Sequence, residues 1–172
     1  MKKAILISGI AGSGKSTICR ELIKQGYEAY DIEDMPRLFT VVHKSTGQVS
    51  DSYDNGSLEY VEQYDWVCDK NKLAELINSQ KEPVAYYCGI ASNIDEILPL
   101  FSQFIIITTS PETIRARLSA RKKGEYGHAK EVRDWTLKWK DWWENEMKKK
   151  GAKLVNANQT PEAIVKEILI TI

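Results

Sequence analysis

A run of nine residues near the start of the chain combines glycine, lysine and hydroxyl side chains at a spacing that suits phosphate binding. It reads Gly9-Ile10-Ala11-Gly12-Ser13-Gly14-Lys15-Ser16-Thr17, which fits the pattern G-x-x-x-x-G-K-[ST]. Glycines let successive backbone N–H groups point into one concavity. In such a loop Lys15 reaches the β- and γ-phosphates of a nucleotide, and the hydroxyl of Ser16 binds Mg²⁺. The expected nucleotide contacts are Gly9, Ala11, Gly12, Ser13, Gly14, Lys15, Ser16 and Thr17.

Three carboxylates follow the second predicted strand, which ends in Tyr30-Asp31-Ile32-Glu33-Asp34. Phosphoryl transfer needs one such group to hold Mg²⁺ and another to accept the proton of a hydroxyl acceptor. In an extended segment Asp31 and Glu33 point the same way, whereas Asp34 would turn into the following helix. The alternative is that Glu33 or Asp34 only caps that helix. Which of the three carboxylates is the base stays open.

The third predicted strand ends in Cys88-Gly89-Ile90-Ala91-Ser92-Asn93. Its small residues allow a ligand to approach the backbone, but Ser92 and Asp95 also fit a helix capping box. This loop could therefore line the substrate, through Gly89 and Asn93, or cap the helix, or do both. The other residues expected near an acceptor are Arg37 and Trp66, the latter on a long middle helix.

Three arginines, Arg115, Arg117 and Arg121, follow the fourth predicted strand. Arg117 and Arg121 are four residues apart and so lie on one face of a helix. Guanidinium groups stabilise the charge that spreads over a transferring phosphoryl group, and they also stack on purines. We expect these roles for Arg117 and Arg121, and a solvated basic face for Arg115.

Short apolar runs alternate with helical patterns along the whole chain. The predicted strands are residues 4–8, 28–32, 83–88, 104–108 and 153–155, and the predicted helices are residues 16–25, 58–79, 94–100, 111–121, 129–150 and 161–170. This alternation predicts a parallel sheet covered on both faces, with ligands bound beyond the carboxyl ends of its strands. Residues 44–57 predict a loop, and residues 122–128 predict a short glycine-hinged connection.

The composition is that of an ordinary globular protein. The 172 residues are 42% hydrophobic and 28% charged, with a formal net charge of +0, which suits one domain with a sizeable core. The neutral balance gives no general attraction to nucleic acid or to an anionic membrane. The three cysteines are isolated and the first apolar run is too short for a signal peptide, so we expect a cytoplasmic location. Tryptophans at helical spacing in residues 129–150 predict a core-facing stripe.

With these motifs in this order, the chain resembles the P-loop small-molecule kinases, a superfamily that includes adenylate, nucleoside, shikimate and gluconate kinases. The resemblance implies a three-layer α/β/α fold with a five-stranded parallel sheet in the strand order 2-3-1-4-5. It also implies one domain over residues 1–172, with an acceptor-binding insertion near residues 34–80 and a short lid near residues 118–132.

The same resemblance implies roles for individual residues. Asp31-Ile32-Glu33 resembles the D-x-D of shikimate kinases, so Asp31 would assist Mg²⁺ and Glu33 would contact or deprotonate the acceptor. Arg117 and Arg121 resemble the pair that opens the adenylate kinase lid, one stacking on adenine and one reaching phosphate. Residues 156–161 resemble the adenine-contacting loop, and the contacts expected there are Asn156 and Asn158.

The chain departs from individual members of the superfamily. It lacks the G-F-P-R of adenylate kinase and the G-G-G and R-P-L of shikimate kinase, and it looks closest to bacterial nucleoside-kinase-like ATPases with a C-G-x-x-x-N strand end. We expect a kinase that uses ATP and Mg²⁺ to phosphorylate a small hydroxyl acceptor, such as a nucleoside or a shikimate- or gluconate-like compound. The expected catalytic residues are Lys15, Asp31, Glu33, Arg117 and Arg121.

Two other functions remain open on the residues alone. One is a nucleoside monophosphate kinase, and the other is a P-loop ATPase switch that acts on a protein or RNA partner. For the kinase we expect a small-molecule acceptor as the partner, with no nucleic acid and no membrane, and a monomer or homodimer.

Overall fold

A computed structural model describes residues 2–172. Its strands are β1 (Lys3–Ser8), β2 (Glu28–Asp31), β3 (Phe39–His43), β4 (Val49–Ser50), β5 (Tyr64–Cys68), β6 (Val84–Cys88), β7 (Gln103–Thr108) and β8 (Lys153–Asn156). Its helices are α1 (Lys15–Lys24), α2 (Leu58–Gln63), α3 (Lys70–Asn78), α4 (Ile94–Ile97), α5 (Pro111–Ser119), α6 (Lys130–Lys149) and α7 (Pro161–Thr171). Short 3₁₀ turns cover Ile32–Asp34 and Leu98–Leu100.

Five strands form a parallel sheet in the order β2-β6-β1-β7-β8. Counted along the chain within this sheet, the order is 2-3-1-4-5, as predicted. Alternate residues of β1 pack into two separate apolar clusters, with Leu6 on one face of the sheet and Ile5 and Ile7 on the other. Helices α1 and α7 cover the second of these faces, while α3, α4, α5 and α6 contribute to the first. The predicted three-layer α/β/α architecture is confirmed.

The structure also contains an antiparallel sheet of three strands in the order β4-β3-β5, which was not predicted from the sequence. The long helix expected over residues 58–79 is wrong, because β5 interrupts it between α2 and α3. Aromatic and β-branched residues favour strands, and β5 pairs with β3 from Phe39↔Cys68 to His43↔Tyr64. The rings of Phe39 and Trp66 also stack, with centroids 5.0 Å apart. Strand pairing with a distant segment therefore overrides the local helical spacing.

Helix ends agree better with the sequence. Ser110 and Thr160 each cap the helix that follows, accepting from the backbone N–H of Thr113 and Ala163. The expected tryptophan stripe of α6 is buried at Trp143, whereas Trp142 is 65% exposed. Across residues 2–172, no helix combines the length and the apolar character needed to cross a membrane.

Candidate active site

A cavity of about 430 Å³ opens at the carboxyl edge of the parallel sheet. Its walls come from the phosphate-binding loop, the end of β2, Arg117 on α5, the connection that follows α5, and the start of α7. The predicted residues that line it are Ala11, Gly12, Ser13, Gly14, Lys15, Ser16, Thr17, Asp31, Glu33, Asp34, Arg117 and Arg121. The structure therefore brings together most of the residues that were predicted from the sequence to bind the nucleotide.

The loop of residues 9–14 is shaped by its glycines. Gly12 and Gly14 adopt φ values of +81° and +108°, a region that L side chains rarely occupy. Gly9 does not line the cavity. A Cβ there would lie 2.7 Å from the carbonyl oxygen of Ile107, so Gly9 allows the loop to pack against β7.

The residues present fit a triphosphate and its Mg²⁺. Helix α1 begins at Lys15 with no side-chain cap, so its first N–H groups need other acceptors. The buried hydroxyl of Ser13 has no hydrogen-bond partner among the described residues. Ser16 and Asp31 both line the cavity and offer the oxygen ligands that Mg²⁺ prefers.

Lys15 is a buried lysine held inside the curl of the loop. Its Nζ donates to the carbonyl oxygens of Gly9 at 2.7 Å and Ile10 at 3.3 Å. The same atom lies 3.6 Å from Oε1 of Glu33. The cation thus faces a carboxylate that arrives from a different strand.

The three predicted carboxylates line the cavity, but the segment that carries them is not extended throughout as expected. The strand ends at Asp31 and a 3₁₀ turn follows, with Ile32 buried beneath it. Glu33 turns toward the loop after β6, where its Oε1 accepts from the N–H of Ile90 at 3.0 Å. Within residues 2–172, neither Asp31 nor Asp34 forms an ion pair.

Gly89 lies behind this turn rather than in the cavity lining. A Cβ on Gly89 would be 2.5 Å from Cγ1 of Ile32 and 3.2 Å from Cγ of Glu33. The glycine therefore permits the close packing that places Glu33, which is an indirect role for a residue expected to contact substrate.

The two predicted functional arginines hold the loop and the connection after α5. NH1 of Arg117 donates to the carbonyl oxygens of Gly12 and Ser13, each at 3.1 Å. NH1 of Arg121 donates to the carbonyl oxygen of Tyr126 at 2.8 Å. Arg115 instead pairs with Asp134 at the surface, in line with the expected basic face.

Tyr126 is a cavity residue that sequence reasoning missed. Its hydroxyl lies 3.0 Å from Oγ1 of Thr136 on α6, and burial raises the pKa of its phenol. The Nδ1 atom of His128 lies 2.6 Å from the carbonyl oxygen of Arg121. These contacts fold the connection between α5 and α6 against the cavity.

The expected adenine contacts, Asn156 and Asn158, bond to protein atoms instead of lining the cavity. Oδ1 of Asn156 accepts from the backbone N–H of Asn158 at 2.9 Å. Oδ1 of Asn158 accepts from the hydroxyl of Thr109 at 2.5 Å and from the N–H of Ser110 at 3.2 Å. Their neighbours face the cavity in their place, namely Ala157, Gln159, Pro161 and Ile164.

Three further predicted acceptor contacts, Arg37, Trp66 and Asn93, also lie outside the cavity lining. Asn93 bonds both the N–H and the carbonyl oxygen of Cys68 on β5, at 2.9 and 3.0 Å. The hydroxyl of Ser92 accepts from the N–H of Trp66 at 3.0 Å, and the backbone N–H of Ser92 donates to the carbonyl oxygen of Trp66 at 2.8 Å. These residues join the second sheet to the loop after β6, and Arg37 adopts a φ of +61° in the turn before β3.

Sequence comparison identifies the family. The model of the AAA domain family matches residues 5–138. This chain belongs to the AAA domain family. A comparison with curated proteins finds no match.

Solved structures are similar over nearly the whole chain. A shikimate kinase from Acinetobacter baumannii in complex with shikimate has a TM-score of 0.58 and 19% identity, covering 99% of this chain and 93% of that one. A deoxyadenosine kinase from M. mycoides with bound dATP has a TM-score of 0.56 and 15% identity, covering 98% of each chain. A gluconokinase from Sinorhizobium meliloti has a TM-score of 0.53 and 17% identity, covering 98% of this chain and 90% of that one. The predicted fold, that of the P-loop small-molecule kinases, is confirmed.

Proposed function

We propose that this protein is a kinase that transfers the γ-phosphoryl group of Mg·ATP to a hydroxyl group of a small metabolite. The observation that carries the proposal is the placement of the Glu33 carboxylate 3.6 Å from the Lys15 ammonium on the wall of the cavity. The first group suits proton acceptance and the second suits the transferred phosphate. A hydroxyl acceptor has a proton to lose, whereas a phosphate acceptor at neutral pH needs no such base.

Cations and backbone amides would bind the triphosphate of ATP, which is the phosphoryl donor. Lys15 and the N–H groups at the start of α1 would bind the phosphates, and Arg117 and Arg121 would counter the charge of the transferred group. Ser16 and Asp31 are the candidate ligands for Mg²⁺, which would neutralise phosphate charge and orient the phosphates. Both arginines now bond backbone carbonyls, so the approach of phosphate would replace neutral acceptors by charged ones.

Glu33 is the candidate base because its position is fixed. The N–H of Ile90 and the side chain of Lys15 both contact Oε1, which leaves Oε2 for an acceptor hydroxyl. As the acceptor oxygen bonds to the γ-phosphorus, the bond from that phosphorus to the bridging oxygen of ADP breaks. The acceptor proton passes to Glu33.

The charges around the carboxylates favour an acceptor without an anionic group. Asp31, Glu33 and Asp34 line the same cavity, and its cationic lining in the described chain consists of Lys15, Arg117 and Arg121. All three cations are assigned to phosphate, so a carboxylate or phosphate on the acceptor would meet only like charge. A nucleoside or another uncharged hydroxyl compound therefore fits better than a nucleoside monophosphate or a sugar acid.

The connection after α5 is the candidate lid. It carries Arg121 and Tyr126 into the cavity and is tied to α6 through Tyr126 and Thr136. Closing such a segment over bound substrates would exclude water, which would otherwise compete with the acceptor hydroxyl.

The test is ADP release in the presence of ATP, Mg²⁺ and a panel of hydroxylated metabolites. We expect an uncharged acceptor to stimulate release, and Glu33→Gln to lower that stimulated rate by about 10²-fold or more. The thermal shift produced by ATP should survive in this variant. Glu59→Gln, which alters an exposed carboxylate on α2, is the matched control.

Two outcomes would overturn the proposal. One is an acceptor-stimulated rate that Glu33→Gln leaves unchanged. The other is slow hydrolysis that ignores every small acceptor and rises only with a protein or RNA, which would support the ATPase switch instead.

A further inference from the structure

Two consecutive N–H groups in the loop after β6 have partners in different parts of the fold. The N–H of Gly89 donates to the carbonyl oxygen of Ile7 on β1, at 3.0 Å. The N–H of Ile90 donates to Oε1 of Glu33, also at 3.0 Å. The first contact belongs to the parallel sheet, whereas the second reaches the turn that carries the candidate base. The position of Glu33 therefore depends on where this loop places the N–H of Ile90.

The far end of the same loop is bound to the free edge of β5. Strand β5 pairs with β3 along its other edge, and an edge strand presents backbone groups that need partners. Both backbone groups of Trp66 are bound by Ser92, and both groups of Cys68 are bound by the side chain of Asn93. These two loop residues therefore take the place of a neighbouring strand.

The side-chain amide of Asn93 has one orientation that satisfies its partners. Its Oδ1 accepts from the N–H of Cys68 at 2.9 Å, and its Nδ2 donates to the carbonyl oxygen of Cys68 at 3.0 Å and to Oε2 of Glu96 at 3.2 Å. An amide nitrogen carries two hydrogens, and these contacts use both of them. A carboxylate of the same shape would have no hydrogen to donate and would face two oxygens.

The middle of the loop is packed against the turn that carries Glu33. Ala91 is buried in the same apolar cluster as Ile32, and a Cβ on Gly89 would lie 2.5 Å from Cγ1 of Ile32. Close-packed interiors transmit a displacement from one group to the next. If the loop were released from β5, it would therefore shift against the turn and disturb Glu33.

We infer that Asn93 is a positioning residue for phosphoryl transfer, and that it acts through Ile90 to hold the carboxylate of Glu33 at the cavity wall. This inference rests on the proposed role of Glu33 as the base. Asn93 does not line the cavity itself, so its effect should reach the substrates through Glu33. A displacement of about 1 Å in a reacting group can lower a rate by about 10²-fold, so a small movement of the loop is enough.

Amide hydrogen exchange followed by nuclear magnetic resonance tests the contact itself and needs no acceptor. In Asn93→Ala we expect exchange at Ile90 to become about tenfold faster, because its hydrogen bond to Glu33 is weakened. Exchange at Gly89, whose N–H is bound to β1, should change by less than about twofold and serves as the internal control. Asn78→Ala, which alters an exposed asparagine at the end of α3, should leave both rates unchanged.

A double-mutant cycle tests whether the effect reaches the reaction through Glu33. With the acceptor that stimulates ADP release, Asn93→Ala should lower kcat by about tenfold and leave the KM for ATP unchanged. In the Glu33→Gln background the same change should lower kcat no further, because the group to be positioned is already lost.

A charge change at the same position gives a second variant with a rescue. Asn93→Asp should lower kcat as Asn93→Ala does, since its carboxylate would face Oε2 of Glu96. Adding Glu96→Gln should restore part of the rate, because the new amide can donate to that carboxylate. Where Asn93→Ala fails to fold, Ser92→Ala removes only the hydroxyl that binds Trp66 and should show the same pattern at about two- to threefold.

The outcomes separate this inference from the proposed function. Unchanged exchange at Ile90 in Asn93→Ala, or an equal loss of kcat with and without the Glu33 carboxylate, would overturn the role of Asn93 and leave the proposed kinase intact. Faster exchange at Ile90 together with a rate that Glu33→Gln does not alter would overturn the role of Glu33 as the base. The structural coupling of Asn93 to Glu33 would then still stand.

Discussion

The two sheets of this protein are stabilised in different ways. In the parallel sheet, Ile5, Leu6 and Ile7 have no exposed area. In the antiparallel sheet, β3 is buried only at Phe39 and β5 only at Cys68. The phosphate-binding loop grows from the first sheet, while the loop that places Glu33 contacts the second through Ser92 and Asn93. The phosphate-binding loop, on the side of the phosphoryl donor, is therefore supported by a buried sheet. The loop that places Glu33, on the side of the acceptor, contacts a half-exposed sheet.

Aromatic stacking partly replaces burial in the antiparallel sheet. Tyr60 and Tyr64 stack with centroids 5.6 Å apart, and Tyr53 meets Tyr64 edge-on at 6.0 Å. Such pairs contribute about 0.5–1.5 kcal/mol each beyond area burial, less than a large buried side chain. Regions with few buried apolar contacts open at lower free energy, so changes near the second sheet should affect acceptor geometry before they affect the fold.

The largest expected effect is on the donor side. Lys15→Ala removes the cation that would meet the transferred phosphate, and we expect turnover to fall by about 10³-fold. The far-ultraviolet circular dichroism should stay unchanged, because the loop still has its glycines. Lys138→Ala, at an exposed site on α6, is the control. Turnover within tenfold of the unaltered protein would remove Lys15 from the proposed chemistry.

The same contrast explains what could be predicted from the sequence. The phosphate-binding loop was predictable because its contacts are local: Lys15 bonds Gly9 and Ile10, within six residues. The position of β5 was not, because its helical or extended state is decided by pairing with β3, more than twenty residues away. Apolar spacing in so short a segment fits both structures.

The loop between β8 and α7, residues 156–161, shows a second limit of prediction from the sequence. Its location was predicted, but the residues expected to contact the nucleotide were Asn156 and Asn158. Both side chains bond protein atoms instead, and Gln159 faces the cavity. The side-chain amide of Asn158 is bound by Thr109, which follows β7, and that of Gln159 is bound by Glu167 on α7. Both partners lie outside the loop, so its sequence alone does not show which amide faces the cavity.

A buried ion pair behind the parallel sheet should matter far more than an exposed pair at the second sheet. Lys140 lies 2.9 Å from Glu144, and both side chains are nearly buried. Lys140→Met should lower the free energy of unfolding by about 3–5 kcal/mol, because it leaves a buried charge without its partner. Lys44→Met breaks the exposed contact with Asp65 at 3.9 Å and should cost less than about 1 kcal/mol.

Urea denaturation of both variants measures this difference. Adding Glu144→Leu to Lys140→Met should recover most of the loss, since the remaining charge is then removed as well. If Lys140→Met and Lys44→Met lowered the free energy of unfolding equally, the buried and the exposed ion pair would not differ in their contribution to stability.

Gly89→Ala tests the link between packing and the acceptor side. The new Cβ would lie 2.5 Å from Ile32, and relief of that overlap should cost about 1–3 kcal/mol and displace Glu33. Acceptor-stimulated ADP release should fall while the dissociation constant for ATP stays the same. Gly56→Ala, whose Cβ would meet only a side-chain oxygen of Asp54 at 3.2 Å, should change neither. A loss of ATP affinity in Gly89→Ala would show that the two sides are not independent.

The smallest expected effect concerns acid stability next to the second sheet. Asp69 follows β5 and caps α3, and its hydrogen bonds from the backbone N–H groups of Lys72 and Asn71 lower the pKa of its carboxyl group. A folded-state pKa below the unfolded value means that the stabilisation is present above the unfolded pKa, about 3.9, and is lost as pH falls through the folded one. Asn is an equally good cap without a charge, so Asp69→Asn should be less stable than the unaltered protein at pH 7 by less than about 1 kcal/mol, and this difference should be smaller at pH 3. Asp51→Asn, at an exposed position, should follow the unaltered protein at both pH values, and a similar response of Asp69→Asn would assign the acid sensitivity to other carboxylates.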